Sequence, residues 1–222
     1  FLKYKTKNEE GKAASCLFHF FSPKFIDTYK KNQEEKVIKM IQDSGIKFGN
    51  IMFQGFEEDG KLYFHESGLR PGGEQFYVFA KELNHVSSLE LLIEFAITGK
   101  MSLYDVKKQD NYNFSKYCCN YYIPLKPGKI SKIEGIDEIN TMPQVLQNVQ
   151  FKFIGDVIPS TSSLDRVIFR IHVMDETKEK FAETLCKISN TVKIFDENGN
   201  DMQLEKLEFD RTLEMIKDAW DC

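Results

Sequence analysis

No apolar run in this chain approaches the roughly 20 residues that a helix needs to cross a bilayer; the longest, "CLFHFF" and "LELLIEFAI", are far shorter. A helical membrane protein is excluded on that ground. The five cysteines, Cys16, Cys118, Cys119, Cys186 and Cys222, lack the number and spacing of a disulfide framework or a zinc site. The four histidines, His19, His65, His85 and His172, lie far apart and have no ligand spacing. An excess of one charge is missing too. With 30 basic against 34 acidic residues, a net charge of -4 and no concentrated basic patch, a nucleic-acid surface is not the main function. No internal repeat, low-complexity tract or signal-peptide pattern is present, and the cytoplasm is the expected compartment.

What remains is globular in composition. The 222 residues are 41% hydrophobic and 29% charged, enough for one large domain or two smaller ones, each with a core. "SPKFIDTYKKNQEEKVIKMIQDSG" carries Phe25, Ile26, Tyr29, Val37, Ile38 and Ile41 at mostly helical spacing, which predicts an amphipathic helix broken near Asn32 and stopped at Gly45. "FGNIMFQGFEEDGKLYFHES" reads as two antiparallel strands around an "EEDG" turn. "SSLELLIEFAITGK" predicts a further helix, with Ser87 or Ser88 as N-cap, Glu90 in its first turn and Gly99 past its end. Arg70 to Asn84 are expected to form a connection between strand and helix.

Apolar density falls between Ser102 and Tyr117, predicting a boundary between a unit of residues 1–110 and one of residues 111–222. The second unit reads as strands in "CCNYYIPLK", "GKISKIEGI" and "VQFKFIGDVI", a polar loop "PSTSSLD", a strand "RVIFRIHVMD", a helix "ETKEKFAETLCKISNTV", a strand "VKIFD" and a terminal helix. Cys118 and Cys119 fall in an apolar aromatic run, which suits a structural role better than a reactive one. The chain begins at Phe1 in what reads as the middle of a strand, so it is expected to be a piece of something longer.

The chemistry-bearing residues cluster at the hairpin. Gln54 and Glu66 flank the turn on adjacent strands, so they can meet across the ladder and point to one face. Arg70 and the pair Gly72-Gly73 follow directly. Two oxygen donors on neighbouring strands suit a hard cation such as magnesium, which takes one or two protein groups and leaves the rest to water and phosphate. The guanidinium fork matches phosphate or carboxylate oxygens, and paired glycines let the backbone approach a ligand closely. The same residues also fit a solvated strand end with a surface ion pair.

The order "Gln54, EDG turn, YFHE, Arg70, GG" resembles the metal-binding hairpin of the ATP-grasp superfamily, whose second strand ends in Glu-x-Asn-x-Arg. "EEKVIKMIQDSGIKFG" is similar to the helix that leads into that hairpin. "YYIPLKPGKISKIEGIDEI" and "TLCKISNTVKIFDENGNDM" resemble the carboxy-terminal domain of the biotin-carboxylase-like and carbamoyl-phosphate-synthase-like branch. The likeness runs over about residues 34 to 202.

The resemblance implies an α+β fold: an ATP-grasp large-lobe antiparallel sheet with helices, followed by a small α+β carboxy-terminal domain. It implies ATP and Mg2+ as cofactors, Glu66 and Gln54 as metal ligands, and Arg70 as the catalytic group on the transferred phosphoryl or acyl phosphate. Gln54, Glu66, Arg70, Gly72 and Gly73 would form the nucleotide site. The reaction implied is ATP-dependent joining of a carboxylate to an amine through an acyl phosphate. Its partners would be small carboxylate and amine substrates and the missing amino-terminal part of the chain, with a homodimer open and neither nucleic acid nor membrane involved. The chain departs from the pattern at Gly68, where the family has its metal-ligating asparagine, and at Glu74, where a small residue is usual. Gly68 therefore also fits a non-catalytic nucleotide-binding or interaction module, and the carboxy-terminal unit fits an independent dimerisation domain.

Overall fold

The computed structural model describes residues 2–5, 16–21, 24–59, 61–160 and 164–221. In chain order the elements are strands β1 (Leu2–Lys5) and β2 (Cys16–Phe20), helices α1 (Ile26–Asn32) and α2 (Glu34–Asp43), strands β3 (Met52–Glu58) and β4 (Lys61–Gly68), and helices α3 (Tyr77–Asn84), α4 (Ser88–Thr98) and α5 (Val106–Gln109). There follow β5 (Tyr117–Pro124), β6 (Gly128–Glu134), α6 (Ile136–Asn140), β7 (Val145–Gln150), β8 (Val157–Ile158), β9 (Val167–Asp175), α7 (Lys178–Thr191), β10 (Lys193–Asp196) and α8 (Phe209–Trp220). All strand pairings between these elements are antiparallel, so the fold class is α+β. Among the described residues no helix is long and apolar enough to cross a membrane.

The chain forms two compact units, Pro23–Phe114 and a second made of Phe1–Ser22 with Ser115–Cys222. This corrects the expected division at 110. The later crossing falls near the expected place, but residues 1–22 do not join the first unit, because Phe18, His19 and Phe20 of β2 pair with Tyr121, Asn120 and Cys119 of β5. The expected polar loop "PSTSSLD" falls partly outside the described residues, at 161–163.

The five-stranded unit carries a sheet in the order β1-β2-β5-β9-β7 and a three-stranded sheet in the order β10-β6-β8. Val167, Phe169, Ile171 and Val173 alternate along β9, yet every residue from Ile168 to Asp175 is buried. A central strand covered on both faces has no solvent side for alternation to mark. Phe169, Ile171 and Val173 join Phe18, Phe20, Tyr121, Phe181, Leu185, Ile188 and Ile216 in one core cluster, with the Trp220 ring edge-on to Phe20 at 5.3 Å and to Tyr117 at 5.2 Å. β5 also sets His19, Asn120 and His172 side by side across three strands, all buried, and His19 Nδ1 lies 3.2 Å from the Tyr122 hydroxyl. Cys118 and Cys119 are enclosed, and burial pushes both thiols up, which makes them inert packing groups.

The hairpin unit holds the candidate site. Its described strands are β3 and β4, which form the expected antiparallel sheet as a single hairpin with helices. The long amphipathic segment breaks at Gln33 (φ -136°, ψ -26°) into α1 and α2, one residue past the expected point. α4 starts where its sequence says: Ser87 accepts from the Glu90 backbone N–H at 3.3 Å, and Gly99 ends the helix in the left-handed region at φ 72°.

Candidate functional site

The site is built on the β3–β4 ladder. Glu58 pairs with Lys61 across a turn in which Asp59 takes a left-handed φ of 52°, and the register runs to Met52 opposite Gly68. It slips by one residue between Gln54 and Gly55, so that Gln54 faces Glu66 while Gly55 faces Phe64, leaving His65 as the extra residue of a β-bulge. Gly55 is needed at that step. A Cβ there would lie 2.5 Å from the Tyr63 carbonyl oxygen.

Period-two alternation puts Met52, Gln54 and Phe56 of β3 on one face, with Gly68, Glu66 and Tyr63 opposite them on β4. On the other face the Phe64 ring lies 5.3 Å from Phe53 and 6.4 Å from Tyr29 and stays partly open to solvent. On the first face Met52 is buried and forms the floor, and the Gln54 amide nitrogen donates to its sulfur at 3.8 Å. That contact orients the carboxamide with its nitrogen toward the floor. Glu66 is half exposed. Its side chain is 51% accessible and Arg70's is 54%, with Arg70 Nη2 4.0 Å from Glu66 Oε1.

The stem of Arg70 lies over Gly68, where a Cβ would meet Cγ and Nε of the arginine at 3.5 Å. Its Nη1 donates to the Pro71 carbonyl at 3.1 Å. Of the paired glycines, Gly73 faces open space, while a Cβ on Gly72 would come within 2.5 Å of Glu74 Oε2, so the Glu74 carboxylate folds against the Gly72 backbone. The structure therefore brings Gln54, Glu66 and Arg70 together, with Gly72 and Gly73 on the loop that leaves the strand.

Two features of this face escape the sequence reading. Met52 is the buried support for Gln54, and Phe56 stacks on Tyr63 with ring centroids 5.6 Å apart and planes 20° from parallel. Both rings are well exposed, and they form a flat apolar platform along the strands from the Gln54–Glu66 pair. Alternation from Gln54 to Phe56 was the signal available for the platform.

Among the described residues no group of three or more His, Cys, Asp or Glu side chains could enclose a metal on its own. The donors present are one carboxylate and one carboxamide facing each other across the ladder. Such a set fits magnesium carried in on a polyphosphate, whose remaining ligands are phosphate oxygens and water.

No protein-family model matches the sequence, and no curated protein matches it. Solved structures do match. Phosphoribosylglycinamide synthetase from Anaerococcus prevotii superposes with a TM-score of 0.70 at 17% identity, over 88% of this chain and 49% of that one. L-amino acid ligase from Bacillus licheniformis gives 0.67 at 20% identity, over 88% and 47%. The chain has the ATP-grasp fold. A third ATP-grasp match, the biotin carboxylase domain of the Hydrogenobacter thermophilus 2-oxoglutarate carboxylase in complex with MgADP, ADP and bicarbonate, gives 0.61 at 16% identity, over 91% and 42%. The chain thus spans about half or less of the length of the ATP-grasp structures it matches.

Proposed function

We propose that this chain is part of an ATP- and magnesium-dependent carboxylate–amine ligase, of the carbamoyl-phosphate-synthase-like kind, that works through an acyl phosphate. The observation that carries the reading is the Gln54–Glu66 pair with Arg70 on the open face of a hairpin within a fold shared with the ligases named above. Glu66 and Gln54 would hold magnesium, which supplies charge neutralisation on the nucleotide phosphates. Arg70 acts on the transferred phosphoryl group: its guanidinium offers paired donors to oxygens whose charge is spread in the transition state, so the role is electrostatic and positional. The Glu66 carboxylate 4.0 Å away holds that guanidinium near the strand end. Gly72 and Gly73 allow the loop backbone close to the phosphates, and the Phe56–Tyr63 platform offers an apolar face to the nucleotide base.

Because the chain covers about half of the matched structures, the acid, the amine and the groups facing the hairpin across the nucleotide are assigned to the whole protein as part of the proposal, with the cytoplasm as its compartment. The test is phosphate release from ATP by the full-length protein against a panel of carboxylic acids and amines. We expect turnover that requires an acid and is abolished in Glu66→Ala with the far-UV spectrum unchanged. Full activity in Glu66→Ala would sink the reading. Gly68, which brings no side-chain donor beside Glu66, favours a second reading: a nucleotide-binding module without turnover. That module would bind ATP and release no phosphate with any acid.

A further inference from the structure

The hairpin unit has a second concavity of different chemistry, a pocket of about 860 Å3 bounded by α1, the break at Gln33, α2 and β4. Its floor is fixed at the break, where the Gln33 amide nitrogen donates to the Leu62 carbonyl on the edge of β4. Lys30, Lys31, Lys36 and Lys61 line it. Lys30 lies over the Tyr112 ring, 3.8 Å from its centroid; Lys31, Lys36 and Lys61 form no ion pair among the described residues. Four lysines against two carboxylates leave this hollow with an excess of positive charge, in a chain whose net charge is -4, and lysine is a point-charge ligand for phosphate.

The rest of the lining narrows the class. Glu35 and Asp59 also face the pocket. Their carboxylates would repel a bare polyphosphate, yet they accept hydrogen bonds from hydroxyl groups, as the Asn32 carboxamide oxygen does. Leu62 and Tyr63 add an apolar wall. The volume is that of a small-molecule site, since such pockets run from about 300 to 1,000 Å3. We infer that this pocket binds a sugar or polyol carrying at least two phosphates: phosphates on the lysines, hydroxyls on Glu35, Asp59 and Asn32, and the carbon skeleton against Leu62 and Tyr63. The inference does not rest on the ligase reading: Tyr63 borders both sites, but none of the four lysines belongs to the Gln54–Glu66 site.

The experiment is calorimetric titration of the full-length protein at physiological ionic strength with fructose bisphosphate, inositol trisphosphate and, as the bare anion, pyrophosphate. We expect one saturable site for at least one of the two polyol phosphates, about tenfold or more tighter than for pyrophosphate. The double variant Lys31→Ser/Lys61→Ser should weaken it by a similar factor, and Glu66→Ala should leave it unchanged. Vesicles containing phosphatidylinositol bisphosphate separate the two sources of this chemistry: saturable binding of the soluble compounds assigns a free metabolite, and binding only to the vesicles, lost in the lysine variant, assigns a lipid headgroup. Binding of neither form, pyrophosphate bound as tightly as the polyols, or affinity unaffected by the lysine variant would each overturn the inference.

Discussion

A methyl group at Gly55 would stand 2.5 Å from the Tyr63 carbonyl oxygen, a backbone atom that moves only if the ladder moves. That single position therefore fixes the slip that leaves Gln54 opposite Glu66. Gly55→Ala is expected to destabilise the hairpin unit by about 1–3 kcal/mol and to weaken nucleotide binding along with it, as denaturant titration and nucleotide titration of the same preparation would reveal. If stability falls while nucleotide affinity stays put, the bulge is not what aligns the two donors. Arg70 allows a sharper test. Arg70→Lys keeps the charge near Glu66 but loses the fork of donors, and we expect kcat to fall on the order of 100-fold with the fold intact; near-normal turnover would remove Arg70 from the phosphoryl site.

At the scale of elements, α4 shows how local chemistry anchors a segment. Glu90 accepts from the Tyr104 hydroxyl and from Lys81 Nζ, the latter at 2.9 Å. Glu94 accepts from the Ser102 hydroxyl at 2.7 Å and from the backbone N–H groups of Ser102 and Leu103 at 2.8 and 2.9 Å. Those hydrogen bonds, Tyr104 first for Glu90 and the Ser102 hydroxyl first for Glu94, hold both carboxyls below the ordinary value of 4.5. A depressed acid stabilises the fold above its unfolded pKa and loses that contribution as pH falls through the folded one. The stability of the hairpin unit should therefore decline below about pH 4.5, and Glu90→Gln/Glu94→Gln should flatten that decline. An acid limb identical in the double variant and the parent would show that other groups set it.

The same helix shows what a sequence can display. α4, the break between α1 and α2 and the β3–β4 hairpin were legible because each is dictated by neighbours in sequence: a serine cap, a terminal glycine, a two-residue turn. Gln54, Glu66 and Arg70 were legible as a group for the same reason. α3 was not, since Phe76 at its N-cap makes no side-chain cap bond and its first turn carries no acid. The exposure of Glu66, the support from Met52 and the return of β2 to β5 depend on packing or on partners far away in sequence, and no local signal carries them.

Over the whole molecule the buried apolar residues are unevenly shared. The main core cluster lies in the five-stranded unit, whereas the buried apolar side chains of the hairpin unit, among the described residues, are Val37, Met52, Phe79, Ala80, Val86 and Leu91. Phe48, Phe56, Phe76 and Phe95 of that unit stay exposed. Burial is the main favourable term in folding, so scanning calorimetry should show two transitions, the hairpin unit melting first. Phe79→Ala should shift only the lower one and Phe181→Ala only the upper, each costing about 3–5 kcal/mol; a single transition moved by both would mean the units unfold as one.

The path of the chain, out of the five-stranded sheet after β2 and back into it at β5, also sets an order of events during synthesis. β2 leaves the ribosome well before β5, with Leu17, Phe18 and Phe20 destined for the core, and the strand that pairs with its inner edge cannot emerge until all of Pro23–Phe114 has been made. The hairpin unit can form while β2 waits, and every fold it completes shortens the effective tether between the two strand ends, lowering the entropy lost when they join. Nascent protein in which Pro23–Phe114 has cleared the ribosome and β5 has not would then hold a finished hairpin unit and an apolar strand still unclaimed along its inner edge, the species a chaperone would meet.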